Sequence, residues 1–429
     1  MGDGTLHLLV RRRFLPLFAG QCLGALNDNL FKNALAVLVV YRLGGQAGLS
    51  APVLATLAGG VFIAPYFLFS ALAGQVSDRF EKSGLMKLCK ALEIPIVALA
   101  AWGLAAADLG LMLGALFLLG AQATFTGPIK YAVLPELLRE GEWVGGNALR
   151  EGGTFLAILL GTIAGGALVL AEGGPLAVGA IMMVLALAGL GASLALPRAH
   201  GGNPQVAVSL DPLAETRDLW RLTGQSPPLR RAVLGISWFW LLGALCLAQF
   251  PAFAKEVLAA DGQAVTLMLA MFSLGTALGS LLCGWLLAGE MTTRPVALAA
   301  LGMGLFAIDL WLAAPTAVPA DGSLAALPDF LARPGNWRIL ADLLLLAVCG
   351  GFYTVPLYTQ LQAHSAEASR ARVIAANNLV NAAFMVAGAG LAGLLLALGL
   401  GVTGLFLLLG LATLAVALGF RRAAGRWWR

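Results

Sequence analysis

A stripe of polar side chains interrupts the first long apolar segment of the chain. Spacings of four, three and four residues place one set of positions on a single helix face, and that set is Gln21, Ala25, Asp28 and Lys32. Because a charge inside a bilayer is costly, each one is a candidate for function. Asp28 and Lys32 are expected to pair along the helix. A salt bridge that serves packing alone is the alternative, but neighbouring amides such as Asn29 favour a wet surface that contacts substrate.

A second polar cluster spans the fourth and fifth apolar segments. Lys130 stands near the end of the fourth, and Asn147, Glu151 and Thr154 share one helix face of the fifth. Lys130 and Glu151 are expected to pair in the cytoplasmic half of the membrane. The alternative for Lys130 is an interfacial side chain whose ammonium extends to the lipid head groups.

The composition sets the class of protein that must position these residues. Of 429 residues, 59% are apolar and only 11% are charged. That balance excludes a soluble enzyme, a disordered chain and a disulfide scaffold. With 54 glycines and a mean hydropathy of +0.86, it predicts an all-α membrane protein with twelve transmembrane helices. The five cysteines and three histidines are scattered, so we expect no metal site and no cofactor.

The basic residues predict the orientation of the chain. With the N-terminus in the cytoplasm, cytoplasmic segments hold 22 of the 27 Lys and Arg residues. This bias predicts that both termini are cytoplasmic. In a membrane protein, the net charge of +5 is explained by topology, and we expect no nucleic-acid partner.

Weak internal likeness divides the chain into two halves. Residues 23–26 match residues 242–245, and residues 146–149 match residues 376–379. We predict a six-helix bundle over residues 1–197, a cytoplasmic inter-bundle loop over 198–230 and a second six-helix bundle over 231–429. Two such parallel repeats with a substrate site between them are the architecture of the major facilitator superfamily.

The loop after the second predicted helix resembles the superfamily's gating motif. Gly74, Asp78 and Arg79 stand at the motif spacing, although its second glycine is missing. The resemblance implies an ion-pair latch at the cytoplasmic ends of helices. An ordinary positively charged cytoplasmic loop is the alternative.

Comparing the halves predicts a site with two unlike walls. Asp28 aligns with Leu247, whereas Lys130 and Glu151 also align with neutral residues. We expect the second-half wall to carry amides and phenols, namely Gln249, Tyr353, Tyr358, Asn377, Asn378 and Asn381. Leu247, Phe250 and Phe253 are expected to form its apolar track. Such a site suits a substrate with a charged head and an apolar tail.

Longer blocks resemble the lysophospholipid transporter family of this superfamily. They are residues 24–35, 127–135, 145–161, 237–240 and 350–357. The likeness is greatest to the transporter half of transporter–acyltransferase fusion proteins. It implies a non-enzymatic flippase that moves lysophosphatidylethanolamine and lysophosphatidylglycerol across the bacterial inner membrane by alternating access, for reacylation on the cytoplasmic side. No His is followed five residues later by Asp, so we expect a separate acyltransferase/acyl-carrier-protein ligase as partner.

The sequence therefore predicts one substrate site and one gate. The substrate-binding residues are Asp28, Asn29, Lys32, Lys130, Glu151, Asn147, Leu247, Gln249, Tyr353 and Asn378. The gating residues are Gly74, Asp78 and Arg79. We expect a monomer surrounded by membrane lipids. The alternatives are a proton-coupled exporter of drugs or small amphiphiles, with Asp28 as proton carrier, a lipid-modifying membrane enzyme and a non-transporting scaffold.

Overall fold

Helices make up nearly all of the regular structure. The computed structural model describes residues 5–39, 41, 51–199, 201–209, 217–218, 221–224, 226–315 and 323–424. These residues contain twelve long helices: α1 (Leu15–Leu38), α2 (Ala51–Arg79), α3 (Lys82–Ala106), α4 (Leu109–Ala132), α5 (Trp143–Val169), α6 (Gly174–Leu194), α7 (Pro227–Ala252), α8 (Gly262–Leu287), α9 (Arg294–Ala313), α10 (Pro334–Ala363), α11 (Arg370–Ala397) and α12 (Val402–Ala424).

The helices have the length and composition of membrane spans. Within the described residues, 11 helices are long and apolar enough to cross a membrane. The twelfth, α1, carries Asp28 and Lys32, and it packs against α5 and α6 in the same bundle. The predicted fold class, an all-α membrane protein with twelve transmembrane helices, is confirmed.

Polar caps and short connections set where the helices begin. Glu81 accepts hydrogen bonds from the Ser83 and Gly84 N–H groups at the start of α3, and Asp108 caps α4 in the same way. The first turn of a helix leaves N–H groups without partners, which these side chains satisfy. Successive helices alternate in direction, so α1 begins and α12 ends at the same face of the bundle. We call it the terminal face.

The long helices form two groups. In the first, α1 packs on α5 and α6, and α3 packs on α4 and α6. In the second, α8 packs on α10, and α9 packs on α10 and α12. The predicted connection over residues 198–230 lies partly outside the described residues. The predicted ends at residues 1–4 and 425–429 lie wholly outside them.

The two halves meet at the terminal face, through α2 with α11 and α5 with α8. Small residues allow the backbones to approach closely. A Cβ added at Gly284 of α8 would lie 2.5 Å from Cβ of Ala148 in α5. Within the described residues, every hydrogen bond between the two helix groups lies near the terminal face. The halves are therefore closed against each other on that side.

Candidate substrate site

A cavity of about 510 Å³ lies between the two halves. Small-molecule sites commonly occupy about 300–1,000 Å³. Among the described residues, its charged lining residues all come from the first half, and they are Asp28, Lys32, Lys90 and Lys130. The second half contributes mainly apolar and aromatic side chains, among them Phe239, Trp240, Leu247 and Phe272. The cavity therefore has one charged wall and one largely apolar wall.

The polar stripe of α1 faces this cavity. Gln21, Ala25, Asp28, Asn29 and Lys32 all line it. The expected Asp28–Lys32 salt bridge is not formed: Asp28 makes no hydrogen bond or ion pair with any described residue, although its charge still interacts with that of Lys32. The Lys32 ammonium lies 4.4 Å from the centre of the Phe62 ring on α2. Two opposite charges are thus presented to the cavity separately.

Lys130 lines the cavity, but its expected pairing with Glu151 is wrong. Glu151 is 2% exposed; it is paired with Arg150 at 2.9 Å and accepts a hydrogen bond from the Tyr131 hydroxyl at 3.1 Å. Arg150, the neighbour of Glu151 in the sequence, therefore binds the carboxylate that Lys130 was expected to bind. Glu151 therefore lies behind the cavity surface, and Lys130 keeps its charge free of any ion pair within the described chain.

Asn147 joins the halves instead of lining the cavity. Its side-chain amide donates to Gln362 Oε1 at 2.6 Å and to Thr359 Oγ1 at 3.2 Å, both on α10. Gln362 in turn donates to the Tyr131 carbonyl at 2.9 Å. The predicted substrate contact is therefore an inter-half contact, so Asn147 belongs to the closure at the terminal face.

The second-half wall includes only some of the predicted residues. Those that line the cavity are Leu247, Tyr358, Asn378 and Asn381; Gln249, Tyr353 and Asn377 do not. Two residues along a helix turn by about 200°, which points Gln249 away from the side that Leu247 occupies. Tyr353 packs instead against Phe420 with ring centres 5.8 Å apart.

The predicted apolar track on α7 is also shorter than expected. Phe250 and Phe253 are fully buried in the packing of the second half. Their rings contact Phe272 and Phe406, at centre distances of 6.2 and 5.1 Å. Of the three residues of the expected track, only Leu247 reaches the cavity, where Phe239, Trp240 and Phe272 supply apolar surface instead.

Two stacked tyrosines form the floor of the cavity toward the terminal face. The rings of Tyr131 in α4 and Tyr358 in α10 lie 4.5 Å apart. Trp240 Nε1 donates to the Tyr358 hydroxyl at 3.0 Å, and the Arg150 guanidinium lies 3.3 Å from the Tyr131 ring centre. Arg150, which in the sequence counted only among the 22 basic residues expected in cytoplasmic segments, is 1% exposed and supports this floor.

The predicted gating residues lie where α2 meets α11. Asp78 accepts hydrogen bonds from the Ala371 and Arg372 N–H groups at 2.9 and 3.2 Å and from Arg372 Nε at 3.1 Å. A Cβ added at Gly74 would lie 2.9 Å from Ala375 Cβ, so glycine allows the close approach. Arg79 donates to the Val206 carbonyl at 3.1 Å instead of crossing to α11.

Glu81 fixes the loop that follows this contact. Burial opposes its ionisation, but hydrogen bonds from Ser83, Gly84 and the Ala199 N–H hold the pKa of Glu81 below its ordinary value. The carboxylate thereby ties the α2–α3 loop to the start of the inter-bundle segment.

Comparison with known proteins agrees with this geometry. Residues 17–327 match the Major Facilitator Superfamily. The chain is 28% identical over 362 residues to the lysophospholipid transporter LplT of Serratia proteamaculans, covering 82% of this chain and 81% of that protein. It is 29% identical over 380 residues to LplT of Klebsiella pneumoniae, covering 86% and 85%. These matches confirm the resemblance that the α1 and α5 motifs indicated.

Solved structures match the fold. The human organic anion transporter MFSD10 superposes with a TM-score of 0.72 at 16% identity, covering 95% of this chain and 99% of that one. The Escherichia coli fucose:proton symporter FucP superposes with a TM-score of 0.69 at 15% identity, covering 96% and 99%. With two helix bundles, a cavity between them and a family match over most of its length, this chain belongs to the Major Facilitator Superfamily.

Proposed function

We propose that this protein is a secondary transporter that moves lysophospholipids, with lysophosphatidylethanolamine and lysophosphatidylglycerol as substrates, across the bacterial inner membrane by alternating access. The observation that carries the proposal is the division of the cavity. Charges of both signs that form no ion pair with any described residue stand on the first-half wall, and apolar and aromatic side chains make up most of the other. A single-chain phospholipid has the matching division into head and tail.

The head group is assigned to the charged wall. In this proposal the Asp28 carboxylate binds the ammonium of an ethanolamine head, and Lys32 and Lys130 bind the phosphate. Because none of the three forms an ion pair with a described residue, each can bind the head group without first breaking a protein salt bridge.

The proposal includes an orientation. The positive-inside bias favours a cytoplasmic terminal face, so the described state is closed toward the cytoplasm. Substrate would enter from the outer leaflet and leave after the Tyr131–Tyr358 floor and the Asp78 contact open. A separate acyltransferase would then reacylate the lipid on the cytoplasmic side.

The test is leaflet-resolved transport in proteoliposomes that contain the purified protein. Labelled lysophosphatidylethanolamine is added to the outer leaflet, and the fraction that albumin can no longer extract is followed with time. We expect the protein to accelerate this loss of extractability over protein-free vesicles. Equal rates with and without protein would overturn the proposal.

A second candidate, a proton-coupled exporter of small amphiphiles, is favoured by the Asp28 carboxylate, which lines the cavity and has no ion-pair partner among the residues that the structure describes. The two functions differ in their response to an imposed pH gradient. An exporter should accumulate a soluble cationic amphiphile against its gradient when the vesicle lumen is acidic. The lysolipid transporter should not.

A further inference from the structure

Lys90 lines the cavity, although in the sequence it counted only among the 22 basic residues expected in cytoplasmic segments. It stands eight residues after the start of α3 at Lys82, which at about 1.5 Å per residue is ~12 Å along the helix. The residue is 5% exposed and lines the cavity. Its charge therefore lies inside the protein, whereas a basic residue that only sets topology would lie at the membrane surface.

Glu93 holds the Lys90 ammonium in place. One carboxylate oxygen accepts from Lys90 Nζ at 2.6 Å and from Gln122 of α4 at 3.0 Å. The other accepts from Asn27 of α1 at 3.3 Å. Three helices thus fix one carboxylate. A buried ion pair stabilises a fold no better than apolar residues of the same size, so packing alone does not account for the pair.

Two glycines make room for the ammonium. A Cβ added at Gly24 of α1 would lie 2.7 Å from Lys90 Nζ, and one added at Gly189 of α6 would lie 3.6 Å away. An ammonium carries three N–H donors, and Glu93 is the one hydrogen-bond acceptor that Lys90 has among the described residues. Donors of Lys90 thus remain unused at the cavity wall.

We infer that Lys90 is a ligand of the substrate's phosphate, with Glu93 as the residue that positions it. The inference deepens the proposed function and rests on it, because it names the chemical group that the site selects. Lys32, Lys90 and Lys130 line the same cavity as Asp28, so an anion in the cavity meets three ammonium groups and one carboxylate. A single-chain lipid with a phosphate is therefore preferred, and one without a phosphate binds more weakly.

The experiment measures competition for the transport of labelled lysophosphatidylethanolamine in proteoliposomes. The competitors are lysophosphatidic acid and a monoacylglycerol with the same chain, which differ only in the phosphate. Lys90→Met alone would leave Glu93 buried without its cation. The comparison is therefore between Glu93→Gln, which keeps the ammonium, and the double variant Lys90→Met/Glu93→Gln. Lys87→Met, one turn earlier on α3 and off the cavity, is the matched control.

We expect the double variant to lose the preference for lysophosphatidic acid by roughly tenfold to a hundredfold relative to the wild-type protein, the loss of one charge-assisted hydrogen bond. Glu93→Gln, which keeps the ammonium but not the carboxylate that positions it, should lose less. Competition by monoacylglycerol should stay unchanged, which a merely unfolded variant would not show. Lys87→Met should keep the full preference, and Gly24→Ala, which crowds the ammonium, should lose part of it.

Several outcomes separate the two proposals. If the wild-type protein carries no lysolipid, the proposed function fails. If it carries lysolipid but the double variant keeps the phosphate preference, or Lys87→Met loses as much of it, the assignment of Lys90 is wrong. If inorganic phosphate competes as strongly as lysophosphatidic acid at the same concentration, the site binds free phosphate and the assignment to a lipid head group is wrong.

Discussion

Asp28 presents a carboxylate to the cavity with no hydrogen bond or ion pair from any described residue. We expect Asp28→Ala to abolish transport of lysophosphatidylethanolamine, because the ammonium of its head group would lose its counter-charge in a poorly hydrated site. Membrane insertion should be unaffected, since no protein contact is broken. Initial rates in proteoliposomes and elution of the purified variant on gel filtration measure the two properties.

The matched control for this change is Asp329→Ala, which removes the same charge from an exposed position far from the cavity. It should transport at the wild-type rate. Wild-type lysolipid uptake by Asp28→Ala would contradict the assignment of Asp28 to the head group.

Arg150 and Glu151 are charged but bind each other behind the floor instead of facing substrate. Arg150→Met should lower stability by about 3–5 kcal/mol, the usual effect of leaving one member of a buried pair without its partner. The double variant Arg150→Met/Glu151→Gln should recover most of that loss, because no buried charge remains. Thermal unfolding of the purified variants measures the difference; equal midpoints for the single and double variants would show that the pair is not coupled.

At the scale of elements, the contact between α2 and α11 closes the terminal face. Asp78 binds the first N–H groups of α11, where the helix dipole favours an anion, and also Arg372. Asp78→Asn should weaken this contact and shift the protein toward the form open at the terminal face, since alternating access requires two states of similar free energy. Labelling of single cysteines placed on either side of the Tyr131–Tyr358 floor measures the shift.

Two further variants make this test specific. Gly74→Leu places a side chain where even a Cβ would crowd Ala375, so it should shift labelling in the same direction as Asp78→Asn. Glu140→Gln removes a carboxylate from an exposed site near the terminal face and should change nothing. An unchanged labelling pattern in Asp78→Asn would mean that this loop sets topology only.

The sequence predicts features that depend on residues near in the chain better than features that depend on how the helices pack. The apolar segments predict the helices, and local spacing places Asp28 and Lys32 on one face, because both depend on residues near in the chain. Predicting the partner of Glu151 requires the arrangement of the helices. In the structure Glu151 pairs with Arg150, whereas Lys130 lies near the Tyr131 ring. Lys90 and Glu93 stand three residues apart in an apolar segment, and this spacing indicates a buried ion pair. Counting basic residues to predict topology did not use that information.

At the scale of the whole molecule, aligning the two halves predicts opposing residues of the cavity wall correctly only where both aligned residues face the cavity. Asp28 and its counterpart Leu247 both line it. It fails for Glu151 and Asn381, because Glu151 lies behind the floor whereas Asn381 lines the cavity. Internal alignment predicts which positions on the helices are equivalent. Whether a side chain at such a position lines the cavity or is buried behind it depends on the contacts that the side chain makes. The charge asymmetry of the halves is thus real, with Lys90 on the charged wall in place of the expected Glu151.

That asymmetry leads to a prediction about the lipid tail. Taking an acyl chain through water costs roughly 0.8 kcal/mol per methylene, so the tail must stay against apolar surface while the head group crosses. The second-half wall around Leu247, Phe239 and Phe272 provides one such surface. A diacyl lipid with the same head group should therefore compete poorly with a lysolipid, because its second chain has no equivalent track on the charged wall.

Leu247→Gln tests the same surface from the protein side. The amide leaves the helix and its packing intact but makes the track polar beside the tail, so transport of lysolipid should fall more than thermal stability does. Leu234→Gln, at an exposed position of the same helix, is the control and should transport normally. Equal competition by diacyl lipid and lysolipid would contradict a single apolar track. Transport of glycerophosphoethanolamine at the lysolipid rate would show instead that the tail is not recognised, because a head group with no tail has nothing to place against Leu247.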